Sequence, residues 1–287
     1  MANVRELRAR INSVKNTQQI TKAMKMVAAA KLRRIEGSMP GIRTFAGYCQ
    51  SVLDELLAGD NVYTNQFLVP RKEVRRVCYV LFVGSRGLCG MYNQNVLHYL
   101  RNLLSQEQRE AFVVVCGRWG SDVIAQNSMP VRETFTDLND TPTMNDALTV
   151  AEYLKRLYLS GETDEIHLVY QHYQSALQQT PCSQQLLPAA AETKRETASD
   201  YLFEPDAEAV LENVMQLYIN NTVLSVMLEA KVGEHAARMT AMSTATDATT
   251  ELIGTLSLKM NRIRQAAITT EIAEIVGGAN ALKKKEK

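Results

Sequence analysis

The sequence has no apolar run approaching the ~20 residues a membrane-spanning helix needs, and its basic start is not followed by the continuous apolar stretch of a secretory leader. Direct membrane insertion and export are therefore not expected, and the chain is expected in the cytoplasm. Cysteine is scarce. Cys49, Cys78, Cys89, Cys116 and Cys182 are odd in number and form no C-x-x-C pair, so they read as reduced core thiols. His98, His167, His172 and His235 are too scattered to suggest a metal site. Acid is missing locally: the overall charge is +1, yet Met1 to Arg34 sets Arg5, Arg8, Arg10, Lys15, Lys22, Lys25, Lys31, Arg33 and Arg34 against Glu6 alone. That end faces something negative, or water. What remains is ordinary: 287 residues, 46% hydrophobic and 22% charged, enough for one large domain or two modest ones.

Helix breakers are rare at both ends. From Asn3 to about Leu57 only Gly37, Pro40, Gly41 and Gly47 interrupt a helical pattern, which predicts one long helix with an irregularity near Ser38 to Gly41, or two helices joined there. At ~1.5 Å per residue such a helix is roughly 80 Å long. Pro205, with Asp206 and Glu208 behind it, makes a good helix start, and Ala207 to Val276 holds no proline. This second helix could run roughly 100 Å before Gly277-Gly278 stops it. Neither fits inside a compact domain. Two such helices bury their apolar stripes most simply on each other, as an antiparallel coiled coil joining the ends of the chain. The seam is impure, however. Val4, Leu7, Ile11 and Val14, then Ala28, Leu32 and Ile35, keep three-and-four spacing, but Gln18, Thr21 and Lys25 stand between them.

The middle of the chain differs in kind. "VRRVCYVLFVG" (Val74 to Gly84) and "AFVVVCG" (Ala111 to Gly117) read as buried parallel strands, with helices expected over Tyr92 to Leu104, Gly120 to Gln126 and Met144 to Tyr158. "EIHLVYQHYQ" (Glu165 to Gln174) alternates, and Gln184 to Leu187 could pair beside it as an antiparallel edge. The expected architecture is α/β: a long antiparallel coiled coil of N- and C-terminal helices with an inserted Rossmann-like α/β domain. The segments are 1–58, 71–201 and 206–283.

Chemistry is hard to place on these elements. "GSRGLCGMYNQN" follows the first strand where a dinucleotide fingerprint would sit, but Gly84, Gly87 and Gly90 give the wrong spacing, and no G-K-[ST] follows. Glu271 and Glu274, one turn apart, read as a wet helix face. No catalytic residue, cofactor or metal is expected. Two readings stay open from the residues alone: a nucleotide-dependent α/β enzyme, or a basic coiled-coil adaptor for nucleic acid or lipid. The basic helix lacks aromatics to stack on bases, and its apolar face is weak for a membrane.

Four stretches resemble one family closely. "INSVKNTQQITKAMKMVAAAKLRR" (Ile11 to Arg34) is similar to the opening helix of gamma subunits of the rotary, F-type ATP synthase of bacteria. "EHAARMTAMSTATDATTELI" (Glu234 to Ile253) and "NRIRQAAITTEIAEIVGGANAL" (Asn261 to Leu282) resemble its closing helix, and "GSRGLCGMYNQN" its first strand-to-helix turn. The resemblance implies a non-catalytic central rotor stalk, peripheral on the cytoplasmic side of the cell membrane. It would carry torque between the membrane c-ring and a ring of three alpha and three beta subunits, coupling ion flow to ATP synthesis or hydrolysis. It implies no nucleic-acid partner and no cofactor. Carried over by position, Met24 and Lys25 would face the beta-subunit levers. Arg238, Arg264, Gln265 and Thr269 would lie near the beta catch loops, and Tyr201 and Glu204 on the foot that meets the c-ring and the epsilon subunit.

Overall fold

The computed structural model describes residues 2–58, 65–119, 129–189, 204 and 206–285. The expected helix from Gly120 to Gln126 lies outside the described residues. The chain divides into two compact units, a helical unit of Met1–Val27 with Ala241–Lys287 and a sheet unit of Ala28–Thr240.

The first helix, α1 (Ala2–Ala58), runs through Pro40 without ending there. An interior proline costs about 3 kcal/mol in an isolated helix, but tertiary packing decides here. Ile35, Met39, Cys49 and Leu53 bury one stripe, while Gly37, Pro40, Gly41 and Gly47 are all on the open side. The last helix, α4 (Ala207–Lys285), likewise passes through Gly277-Gly278, where the sequence suggested a stop. Neither glycine takes the positive φ that a glycine C-cap requires, so the helix continues at only the cost of two flexible residues.

Between them lie β1 (Arg76–Phe82), α2 (Tyr92–Gln106), β2 (Glu110–Cys116), β3 (Val131–Phe135), α3 (Met144–Leu159), β4 (Glu165–Tyr173) and β5 (Gln179–Leu187). The sheet order is β3-β2-β1-β4-β5, parallel except for the antiparallel β4–β5 pair. Both faces of β1 are covered, which is why it is apolar without alternation. Cys78, Val80 and Phe82 pack toward α3 and the sheet-unit parts of α1 and α4, whereas Val77, Tyr79 and Leu81 pack on Val96, Leu97 and Leu100 of α2. Strand β3 was not expected from sequence. Its residues are exposed or half-buried, so "VRETF" carries no apolar signal.

Candidate functional site

In the helical unit, the residues that interrupt the apolar seam of α1 are answered by hydroxyls on α4. Gln18 Nε2 donates to Thr250 Oγ1 at 2.6 Å, the hydroxyls of Thr21 and Thr246 lie 2.9 Å apart, and Lys25 Nζ donates to Ser243 Oγ at 2.9 Å. The partner numbers fall as those on α1 rise, so the helices are antiparallel. Thr21 is buried, and each threonine hydroxyl also reaches a carbonyl of its own helix, Gln18 O and Met242 O. Neutral bonds of this kind are worth about 1 kcal/mol each and less where water competes. Their main effect is on register, since a one-turn slip would set a polar group against the apolar set formed by Leu7, Ile11 and Leu256 with Val14, Ile253 and Met260.

Met24 is half-buried and Lys25 exposed, although its amine is held by Ser243. Arg264, Gln265 and Thr269 are exposed on α4, with Thr269 Oγ1 donating to Gln265 O at 3.0 Å. Next to them Ile268, Ile272, Ile275 and Val276 form a helical stripe that is between 49% and 66% exposed. Glu204 is exposed, and Tyr201 lies outside the described residues.

Arg238, which the resemblance would set near the beta catch loops, is buried in the sheet unit at 7% exposure. Its Nη2 donates to Glu234 Oε1 at 2.6 Å and to Arg86 O at 3.1 Å, and Nε donates to Gly87 O at 3.3 Å. Its Nη1 donates to His235 Nδ1 at 3.2 Å; a guanidinium only donates, so the imidazole carries its proton on Nε2. That Nε2 has no hydrogen-bond partner and lies 3.7 Å from Asp140 Oδ1. Lys231 Nζ donates to Glu234 Oε2 at 2.9 Å and to Ser85 Oγ at 3.1 Å, and Lys31 of α1 pairs with Asp140. The cluster thus ties α1, α4, the loop after β3 and the β1–α2 turn together.

Its titration follows from burial and charge. Burial pushes His235 down, and the Arg238 and Lys231 cations add to that; Glu234 and Asp140 oppose it, leaving a pKa of about 4. Burial would raise the Glu234 carboxyl, but Lys231 and Arg238 outweigh it and hold the group below its ordinary value. Asp140 is likewise lowered: burial opposes the shift, while Lys31, His235 and Lys231 outweigh it. Sequence reasoning missed this cluster, although Lys231, Glu234 and Arg238 sit at the i,i+3 and i,i+4 spacings of paired helical charges.

Open α/β sheets hold ligands beyond the carboxyl ends of their strands, where the strand order reverses, which here is between β1 and β4. That space is filled by α4. A Cβ on Gly84 would lie 2.9 Å from Glu234 Cδ, one on Gly233 would lie 2.9 Å from the Tyr92 ring, and Tyr92 Oη donates to Ala230 O at 2.6 Å. The cavity beside it, lined by Ser85, Gly117 and Lys231 among others, measures about 20 Å³ and could hold a water but not a nucleotide. Among the described residues no helix is long and apolar enough to cross a membrane, and no three metal-binding side chains are grouped.

A family model described as ATP synthase matches residues 3–282. The ATP synthase gamma chain of Moorella thermoacetica is 42% identical over 283 residues, covering 99% of this chain and 100% of that one. The gamma chain of Desulfitobacterium hafniense is also 42% identical, over 98% of this chain and 100% of its own. The chain belongs to the ATP synthase gamma-chain family. The fold agrees with a chain in the Euglena gracilis mitochondrial ATP synthase structure of OSCP, F1 and c-ring, with a TM-score of 0.72 at 22% identity over 100% of this chain and 96% of that one. The readings as a nucleotide-dependent enzyme or as a basic coiled-coil adaptor for nucleic acid or lipid give way to this family membership.

Proposed function

We propose that the chain transmits torque between a membrane ion-driven c-ring and a ring of three alpha and three beta subunits, from the cytoplasmic side of the membrane. The observation that supports this most is the helical unit itself, whose two helices are bonded to each other along one line and leave the rest of their surface for partners. Met24 and Lys25 meet acidic lever segments of beta. Contacts of that kind are wet, salt-sensitive and individually weak, which lets a shaft slide past a ring without locking. Arg264, Gln265 and Thr269 meet the beta catch loops, and the adjoining isoleucine stripe runs in an apolar collar. Tyr201 and Glu204 belong to the foot, within segment 71–201 and its join to 206–283, where the c-ring and the epsilon subunit are met. Arg238 is left out of this contact set because it is buried and four of its five N–H donors bond inside the chain.

Mixing the chain with matching alpha and beta subunits tests the proposal. The expected product holds one copy per three of each and rotates under ATP; failure to co-assemble sinks the reading. Truncation from Thr269 onward removes most of the exposed stripe, and is expected to lower torque or assembly while leaving the unfolding of the sheet unit unchanged. Unchanged torque would show that those contacts carry nothing.

A further inference from the structure

The β1–α2 turn contains a conformation that a leucine does not adopt freely. Leu88 stands at φ 60°, in the left-handed region that glycine enters without cost. Its side chain is 61% exposed, so little burial offsets the strain. The offset comes from the other side of the backbone. The two carbonyls immediately before Leu88, Arg86 O and Gly87 O, both accept from the Arg238 guanidinium, at 3.1 and 3.3 Å.

We infer that Arg238 is a positioning residue, which holds the β1–α2 turn in its left-handed form from inside the chain. The guanidinium suits the task because its planar fork can bond two carbonyls and a carboxylate at once. Glu234, 1% exposed, fixes the orientation of the fork. Glu234 is in turn gripped by Lys231, whose amine also bonds Ser85 Oγ, two residues before Gly87. Each end of the turn is anchored separately: Gly84 N donates to Asn93 Oδ1 at 2.8 Å, and Cys89 and Tyr92 are buried. Arg86, Gly87, Leu88, Gly90 and Met91 face solvent above this clamp. The turn and the sheet-unit part of α4 therefore move as one body. The consequence for rotation rests on the function proposed above, since a slack turn would yield at each step and waste torque. The clamp itself does not rest on it.

Amide hydrogen exchange on the full chain tests the clamp. Arg238→Gln is expected to speed exchange at residues 86–90 about tenfold while leaving β1 protected, and to speed tryptic cleavage after Arg86. Adding Leu88→Gly to that variant is expected to restore at least half of the lost protection, because glycine needs no help to stay left-handed. Three results overturn the inference: exchange in the turn unchanged by Arg238→Gln, exchange raised equally across the whole sheet, or no restoration by Leu88→Gly. Should Arg238→Gln not fold, Leu88→Gly on the native arginine decides. A raised thermal midpoint supports the strain it is meant to relieve, and a lowered one overturns it. If the turn opens as expected but the assembled complex rotates with unchanged torque, the link to rotation falls.

Discussion

The polar residues of the helical unit and the charged residues of the sheet unit solve different problems with the same helix, α4. At Gln18, Thr21 and Lys25 the groups are neutral hydroxyls, an amide and one amine, in contact with water except for the buried Thr21, and each makes a single bond across to the other helix. At Lys231, Glu234, His235 and Arg238 the groups are charged or titratable, all at most 7% exposed, and each makes several contacts. Wet polar pairs choose a register at little energetic stake, whereas dry ionic networks make their surroundings depend on every member. The first aligns the two helices of the helical unit, and the second holds the sheet unit's own elements together.

The sharpest way to break the contrast is Glu234→Gln. Removing this carboxylate leaves Arg238 and Lys231 buried against a neutral group, and the expected loss is about 3–5 kcal/mol of stability in urea or thermal unfolding. A loss under 1 kcal/mol would mean that the cluster is not dry. Acid is the next largest lever. His235 has a folded pKa of about 4 against an ordinary 6.5, so between those values the unfolded chain takes up a proton that the folded chain refuses. Stability is therefore full above pH 6.5 and falls as the pH drops toward 4, by on the order of 2–3 kcal/mol from this group. The lowered Glu234 and Asp140 carboxyls act in the same direction further down, as the pH falls through their folded values. His235→Gln should flatten the profile between pH 6.5 and 4 and leave the lower limb; an unchanged profile refutes the assignment.

In the helical unit the effects should be smaller. Thr21→Val removes the bond to Thr246, which keeps Met242 O as an alternative, so the expected cost is at most about 1 kcal/mol. Lys25→Ala loses one exposed bond to Ser243 and should shift unfolding by less than about 0.5 kcal/mol. If Lys25→Ala proved as costly as Glu234→Gln, the distinction between wet and dry polar groups would not describe this chain.

Much of the fold was legible because burial leaves patterns in single stretches. The runs from Val74 and Ala111 announced two covered strands, and the long stretches without breakers announced the two arms. Strand β3 was not legible, since an edge strand with three exposed residues reads as loop. Gly277-Gly278 misled in the opposite direction, because a glycine pair ends a helix only when one of them takes a positive φ, and neither does. Pro40 left one helix and two helices equally open, and packing of the opposite side kept one. The polar seam showed itself as an anomaly on α1, but its partners lie more than 200 residues away in the chain, and hydroxyls on a helix carry no address. The Arg238 cluster was less legible still. It needs four elements to converge, and a charged residue in a helical sequence defaults to solvent.

The central claim is that the paired helices of the shaft turn as one piece. A short covalent cross-link between cysteines placed at Gln18 and Thr250, whose side chains are bonded in the seam, tests it in the assembled complex with single-molecule rotation under ATP. The account predicts rotation at an unchanged rate and torque, because the link joins two groups that never part. Rotation that stops or loses torque when the link closes, and recovers when it is cut, would show that the helices must move against each other and would contradict the account.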